Sequence, residues 1–161
     1  EILNIRTDTL VAHDSSQITI RDALRVTGTI TGTVTSAQYA DLAEIFATDD
    51  LTLEPGDVVC FTGNKKVSMC NKDVHHSVAG VVSTEPGFLL NEGATGVKLA
   101  MTGRVPCKVQ GIVEAGDLLV SAGNGRARSE SNPAVGTVIG KAIEDHNSTD
   151  NGVIDIMVNM M

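Results

Sequence analysis

Short stretches in which apolar and polar residues alternate recur along most of the chain, and they predict an all-β protein. Glycine and asparagine, which favour turns, separate these stretches. The predicted strands are DVVCF, KVSMC, SVAGVVS, GVKLAMTG, RVPCKV, DLLVSA, GRARS, GTVIGKAI and GVIDIMV. Together they predict a compact β-barrel or β-sandwich.

One stretch departs from the strand period. In SAQYADLAEIF, residues 36–46, apolar side chains recur at every third position, at Tyr39, Leu42 and Ile45. Ser36 has the side chain that an N-cap requires. The pattern therefore predicts one short helix in a protein that is otherwise β.

The beginning of the chain carries only short apolar patches, among them ILNIR, TLVAH and QITI. Isolated hairpins of such strands are marginally stable in water, so this segment needs a partner surface. Three copies wound together would supply one. The alternative is an N-terminal hairpin that packs on the domain after it. We expect an intertwined trimeric β-shaft over residues 1–38 and a β-rich head over residues 39–161.

The head contains an internal repeat. LEPGDVVCFTGNKKVS, residues 53–68, is matched 60 positions later by VEAGDLLVSAGNGRAR, and residues 77–82 match 137–142 at the same offset. At an offset of 56, Gly96-Val97 matches Gly152-Val153. The identical positions are turn residues, because Gly and Asn tolerate positive φ and Asp can cap its own turn. The repeat predicts two similar β-units packed together.

Composition narrows the function classes. The 161 residues carry a formal charge of −8 and include no Trp, one Tyr and three Phe, so the core must come from small aliphatic side chains. An acidic chain repels phosphate backbones, which argues against a nucleic-acid partner. The chain has neither a basic face for a membrane surface nor an apolar run of about 18 residues, so we expect no membrane insertion.

Cysteine and histidine give no clear site. The odd set Cys60, Cys70 and Cys107 has no CxxC spacing and is typical of thiols in a reducing compartment. Cys60 and Cys70 could instead face one another across a hairpin and form a disulfide. His75 and His76 lie in a polar loop and are interpreted as solvated. We therefore predict neither a metal site nor a cofactor.

The candidate catalytic residues are Asp41 and Glu44. On a helix these two carboxylates lie one turn apart and project from the same side. A close pair can differ in pKa, so that one group acts as an acid and the other as a base in cleaving a peptide bond. The alternative is a solvated helix face or a set of turn ligands. Ser83, Ser121 and His146 are scattered and predict no triad.

Several blocks in order resemble a known family. YADLAEIF, EPGDVVCFTGNKKVSMCNKD, VAGVVSTEPGFLLN and TGRVPCKVQG resemble the C-terminal domain of phage tail-fibre and other virion structural proteins, particularly those of myoviruses that infect marine cyanobacteria. The likeness covers residues 39 to about 158. It implies a homotrimeric fibre or appendage on a virion, assembled in the host cytoplasm. The implied partners are other virion proteins and a host-surface receptor.

A more distant likeness is to the self-cleaving C-terminal domain of the pre-neck appendage protein of small Bacillus phages, the G2 class of peptidases. Its D-x-A-E-x-F block matches Asp41, Ala43, Glu44 and Phe46. This resemblance implies that Asp41 and Glu44 act in a cleavage that releases a trimerisation chaperone.

Three hypotheses follow from the sequence. The first is a structural, host-adhesive fibre protein without enzymatic activity. The second is an autoproteolytic module cut near residues 30–41. The third is a carbohydrate- or receptor-binding module, which the scarcity of aromatic side chains disfavours.

Overall fold

A computed structural model describes Thr27 and residues 40–159. The predicted shaft, residues 1–38, therefore lies outside the described residues apart from Thr27. All the regular elements within the described part are strands, so no helix there is long and apolar enough to cross a bilayer. The strands are β1 (Asp41–Phe46), β2 (Val58–Gly63), β3 (Lys66–Met69), β4 (Val78–Val82), β5 (Phe88–Leu90), β6 (Val97–Gln110), β7 (Leu118–Gly123), β8 (Arg126–Ser129), β9 (Val138–Ala142) and β10 (Asn151–Asn159).

The ten strands form one continuous sheet, which confirms the all-β prediction. Its main path runs β10-β9-β7-β8-β6-β4-β2-β3, and β1 attaches β5 to β6. Strand β6 also pairs with β10, so the path from β6 through β8, β7, β9 and β10 returns to β6. Strand β6 is thus the centre of the fold, because β1, β4, β8 and β10 all pair with it.

Strand β6 is one long strand where the sequence predicts two, and it continues through Pro106. Pro106 lies opposite Asp155 of β10. The amide of Asp155 donates to Glu144 Oε2 at 2.8 Å, and its carbonyl accepts from the amide of Ile143. Both backbone groups of Asp155 therefore point away from Pro106, and the N–H that proline lacks is not needed there.

The helix predicted over residues 36–46 is wrong over its described part, because residues 41–46 form β1. A helix of about ten residues is marginal on its own and depends on tertiary contacts. Here the contacts favour an extended backbone. Asp41–Phe46 pairs antiparallel with β6 along one edge and parallel with β5 along the other, so both edges of the strand are hydrogen-bonded.

The internal repeat is confirmed by the strand register. We call residues 53–82 the first repeat and residues 113–142 the second repeat. In the first, Val59 pairs with Met69 and Gly80; in the second, Leu119 pairs with Ser129 and Gly140. Each of these partners is displaced by 60 positions. The irregularities in the ladder also recur 60 positions apart, after Phe61 and after Ser121.

The predicted offset of 56 for the last strand is wrong by one residue. Val82 pairs with Leu99 while Ala142 pairs with Ile156, which makes the offset between β6 and β10 equal to 57. Gly96-Val97 and Gly152-Val153, the matches that suggested an offset of 56, do not take part in the pairing of β4 with β6 or of β9 with β10. The register is instead set where Gly80 and Gly140 allow the backbone of the neighbouring strand to approach closely.

The core is aliphatic, as the composition predicts. The larger cluster joins both repeats through side chains such as Val58, Leu119, Ile139 and Ile156, together with Val105 of β6. A smaller cluster joins Val59 and Val67 of the first repeat to Leu99 of β6. No aromatic side chain belongs to the buried core of the described residues.

Candidate functional site

Asp41 stands at the start of β1 and is an unusual buried carboxylate. Its side chain is 7% exposed, and its Oδ2 atom has no hydrogen-bond partner in the described structure. Buried carboxylate oxygens are normally paired, because an unpaired one loses its hydration without compensation. An exception of this kind marks a candidate functional group.

The backbone on either side of the Ala40–Asp41 peptide bond is held in place. The carbonyl oxygen of Ala40 accepts a hydrogen bond from the amide of Arg104 at 3.2 Å, and that of Asp41 accepts one from the amide of Gly87 at 2.9 Å. Gly103, whose φ is +108°, lies directly beneath, and a Cβ atom there would collide with the Ala40 carbonyl. The absence of a side chain at Gly103 therefore lets this peptide bond lie against β6.

A cleft of about 160 Å³ opens beside this bond. Besides Ala40 and Asp41, it is lined by Thr84, Glu85, Arg104, Pro106 and Asp155. The cleft holds two carboxylates besides Asp41, those of Glu85 and Asp155. Arg104 Nε lies 3.7 Å from Asp155 Oδ2, so an exposed ion pair partly neutralises the charge of Asp155. The cleft thus combines a peptide carbonyl, a buried carboxylate and further acidic groups. These are the elements that general acid–base hydrolysis requires.

Glu44 does not join Asp41. In a strand, residues three apart project from opposite faces, and about 10 Å of backbone separates them. Glu44 lines a different cleft of about 490 Å³, together with Ile45, Phe46 and Phe61. The expectation that Asp41 and Glu44 project from the same side assumed a helix. It is wrong because residues 41–46 form a strand.

Ser121, His146 and Ser83, which the sequence leaves without a role, lie apart from the cleft of Asp41. Ser121 is fully buried, and its Oγ accepts a hydrogen bond from the amide of His75 at 2.9 Å. The ring of His146 lies 2.8 Å from the carbonyl oxygen of Gly111 through Nδ1 and packs against Gly152. Ser83 Oγ is buried without a partner, but Ser83 does not line the cleft of Asp41.

The cysteines divide into a pair and a single residue. Cys60 and Cys70 are joined by a disulfide, so the expectation of free thiols is wrong for them and the cross-hairpin alternative is confirmed. Cys107 is free and buried. Burial, followed in size by the charge of Asp57, raises the pKa of the Cys107 thiol to about 12. Cys107 is therefore an inert core residue.

Glu85, Arg104 and Asp155 line the cleft although no sequence motif marks them. They come from the loop after β4, from β6 and from β10, and only the pairing of β6 with β1 and β10 brings them together. No spacing in the sequence signals this. Gly103 next to Arg104 gave a weak signal, since a glycine inside a strand often indicates a close backbone approach.

Comparison with known proteins identifies a family for this part of the chain. The family model described as Peptidase_G2, IMC autoproteolytic cleavage domain, matches residues 9–98, more than half of the chain. The matched range includes Asp41, Glu44 and Glu85 and ends at the start of β6. No curated protein matches the chain significantly. The chain belongs to the Peptidase_G2 family of autoproteolytic cleavage domains.

Proposed function

We propose that the chain is a self-cleaving module that cuts the bond between Ala40 and Asp41, with the buried carboxylate of Asp41 as the base. The observation that carries this proposal is the unpartnered Oδ2 of Asp41 beside a peptide bond whose carbonyl is already held. The bond lies within the range, residues 30–41, that the sequence predicts. Membership of an autoproteolytic family supports the same activity.

The chemistry is hydrolysis of one amide. Asp41 accepts a proton from a water molecule, and the resulting hydroxide attacks the carbonyl carbon of Ala40. The amide of Arg104, which already donates to the Ala40 oxygen, stabilises the negative charge that develops there. The C–N bond then breaks, Ala40 keeps the new carboxylate, and the nitrogen of Asp41 leaves as an amine after taking up a proton.

A second acidic group can supply the proton for the leaving amine while Asp41 keeps the one it took from water. Glu85 lines the same cleft as Asp41 and meets this need within one chain. Glu44, the sequence-based candidate, borders the other cleft and could reach an Asp41 only in a neighbouring chain. We propose that Glu85 donates the proton when cleavage occurs within one chain. The alternative is that Glu44 of a neighbouring chain donates it in an oligomer.

The test uses the 161-residue chain with an affinity tag before Glu1, followed by mass spectrometry of the freshly expressed protein. The wild type should release a fragment that begins at Asp41. Asp41→Asn should leave the chain intact, because the amide cannot accept the proton. Glu92→Gln, an exposed change away from the cleft, should be cut at the wild-type rate.

Two experiments distinguish the proton donors: substitution of each glutamate, and dilution of the wild-type protein. If the donor is Glu85, Glu85→Gln stops the cut and the wild-type rate is independent of protein concentration. If the donor is Glu44, Glu44→Gln stops it and the rate falls on dilution. A wild-type chain that stays uncut, or is cut at another bond, contradicts the proposal.

We also propose that the module is part of a homotrimeric virion fibre or appendage, as the resemblance implies. One observation favours assembly: β5 pairs only with β1 within the described residues and carries Phe88 and Leu90, 55% and 46% exposed. An open edge strand with large apolar side chains favours contact with another chain. Light scattering after size-exclusion chromatography should give the mass of three chains. A mass of one chain at all concentrations contradicts this second proposal.

A further inference from the structure

Cys60, Cys70 and His75 form a compact group of metal-ligating side chains. The two sulfur atoms and a ring nitrogen of His75 all lie within 4.8 Å of one another. Cys60 and Cys70 are buried, while His75 is half-buried. All three residues border a cleft of about 260 Å³, so the group is open to solvent on one side.

The internal repeat shows that the fold does not need this group. At the constant offset of 60, the positions of Cys60, Cys70 and His75 are occupied by Val120, Glu130 and Val135. The hairpin of the second repeat has the same register without a disulfide. The amides of Cys70 and Glu130 even make the same hydrogen bond, to Val58 O and Leu118 O, each at 2.9 Å.

The second repeat therefore serves as a comparison for the first. The same hairpin is built twice, once with two cysteines and a nearby histidine and once with none of them. A requirement of the hairpin would act on both repeats. The chemistry at Cys60, Cys70 and His75 thus calls for a role other than holding the strands together.

We propose that the reduced chain binds a Zn²⁺ ion through Cys60, Cys70 and His75, and that the disulfide is the alternative, metal-free state of the same site. Two thiolates and an imidazole are ligands that Zn²⁺ prefers. Three protein ligands with an open side leave the fourth position of a tetrahedral ion to water or another small ligand from the cleft.

The geometry of His75 agrees with this role. Its Nδ1 atom accepts a hydrogen bond from the amide of Ser77 at 3.0 Å, so Nδ1 presents the lone pair that a metal ligand needs. Neutral imidazole is the form that binds metal. Coordination through Nδ1 exchanges that hydrogen bond for a bond to the ion, and the half-buried Ser77 amide can then bond to water.

The two states interconvert with balanced chemistry. Two molecules of a thiol reductant reduce the Cys60–Cys70 bond, giving two protein thiols and one molecule of oxidised reductant. Binding of Zn²⁺ then releases the two thiol protons and forms two metal–sulfur bonds. An oxidant that removes two electrons reverses the change and expels the ion.

The test uses Co²⁺ as a spectroscopic substitute for Zn²⁺, added to the full chain after reduction by a phosphine that does not bind the metal. We expect one ion per chain, the visible absorption of tetrahedral thiolate-bound Co²⁺, and loss of that absorption when Zn²⁺ is added. His75→Ala should weaken binding more than about tenfold, since losing a ligand costs more than losing an outer contact.

The matched control is His76→Ala. The ring of His76 stacks on that of His75 at 4.9 Å between centroids, yet His76 is exposed and does not belong to the group. This variant should bind Co²⁺ like the wild type. Cys60→Ser and Cys70→Ser should abolish the thiolate absorption.

A cysteine variant that fails to fold would not report on metal binding. The oxidised wild type then serves as the control, because it lacks the thiols without any change of sequence. It should bind no Co²⁺ at this site. Reduced wild type that binds no Co²⁺ would overturn the proposal, and so would binding that persists in the oxidised protein or is equally weakened by both histidine changes.

Discussion

Asp57 and Asp117 occupy the same position in the two repeats, and each caps the turn before it. Asp57 Oδ2 accepts a hydrogen bond from the amide of Glu54 at 2.8 Å, and Asp117 Oδ2 accepts one from the amide of Glu114 at 3.0 Å. Their surroundings differ. Asp57 is 2% exposed and also bonds to Lys108 Nζ at 2.8 Å through Oδ1, while Asp117 is half-buried.

This difference predicts unequal stability losses. Asp57→Ala should lower the free energy of unfolding by about 2–4 kcal/mol, because it removes a cap and leaves the Lys108 ammonium with only the exposed Glu54. Asp117→Ala should cost about 0.5–1.5 kcal/mol, since it removes the turn cap and a hydrogen bond with Ser129 but no ion pair. Urea unfolding of the two variants measures both values. Equal losses would mean that the Lys108 contact adds nothing.

Gly103 predicts a link between backbone geometry and cleavage. Gly103→Ala places a Cβ atom against the Ala40 carbonyl and adds about 1–3 kcal/mol of strain at a φ of +108°. The Ala40–Asp41 bond, which we propose is cut, should move away from the amide of Arg104, and the rate of cleavage should fall. Gly93→Ala is the control, because a Cβ atom there meets nothing within 4 Å. Cleavage of Gly103→Ala at the wild-type rate would exclude this positioning role.

Acid should weaken the loop of Asp73. Hydrogen bonds from Arg128 Nε and Nη2, at 2.7 and 3.1 Å, hold the pKa of Asp73 below its ordinary value of 3.8, against a smaller effect of desolvation. A lowered pKa stabilises the folded state above pH 3.8, and this contribution disappears as the pH falls through the folded value. Asp73→Asn should therefore flatten the loss of stability below about pH 4. Thermal unfolding of both proteins across that range measures the effect, and parallel curves would contradict it.

Cys107 should resist alkylation. With a pKa of about 12, only about one thiol in ten thousand is ionised at pH 8, and the side chain is fully buried. Iodoacetamide should therefore modify Cys107 only after unfolding, and later than reduced Cys60 and Cys70, which are also buried but border a cleft that opens to solvent. Mass spectrometry after timed alkylation gives the order. Rapid labelling of Cys107 in the native chain would show that this part of the core opens.

The open edge of β5 predicts a surface that controls assembly. Phe88→Ser combined with Leu90→Ser should shift the mass in solution toward one chain, while the stability of that chain changes little because both side chains are exposed. Leu51→Ser, at a site that is 95% exposed, is the matched control and should leave the oligomer unchanged. An unchanged mass in the double variant would place the contact elsewhere.

Local patterning predicted most of this fold because strands and turns depend on short-range chemistry. The alternation of apolar residues identified eight of the ten strands, with β6 divided into two predicted strands, and the repeated Gly-Asn turns identified the two repeats. The misses are β1 and β5. In β1 the apolar residues follow a period of three rather than two, and β5 has only three residues, so neither strand shows the alternation of a strand.

The candidate site shows the same division. The sequence alone determined that the protein is β-structured, aliphatic in its core and built on a repeat, because side-chain volume and turn preference belong to each residue and its neighbours. Folding brings Asp41, Arg104 and Glu85 to one cleft and turns Glu44 toward another. It also brings Cys60, Cys70 and His75 together. These relationships depend on which distant strands pair, since pairing in register fixes which side chains share a face.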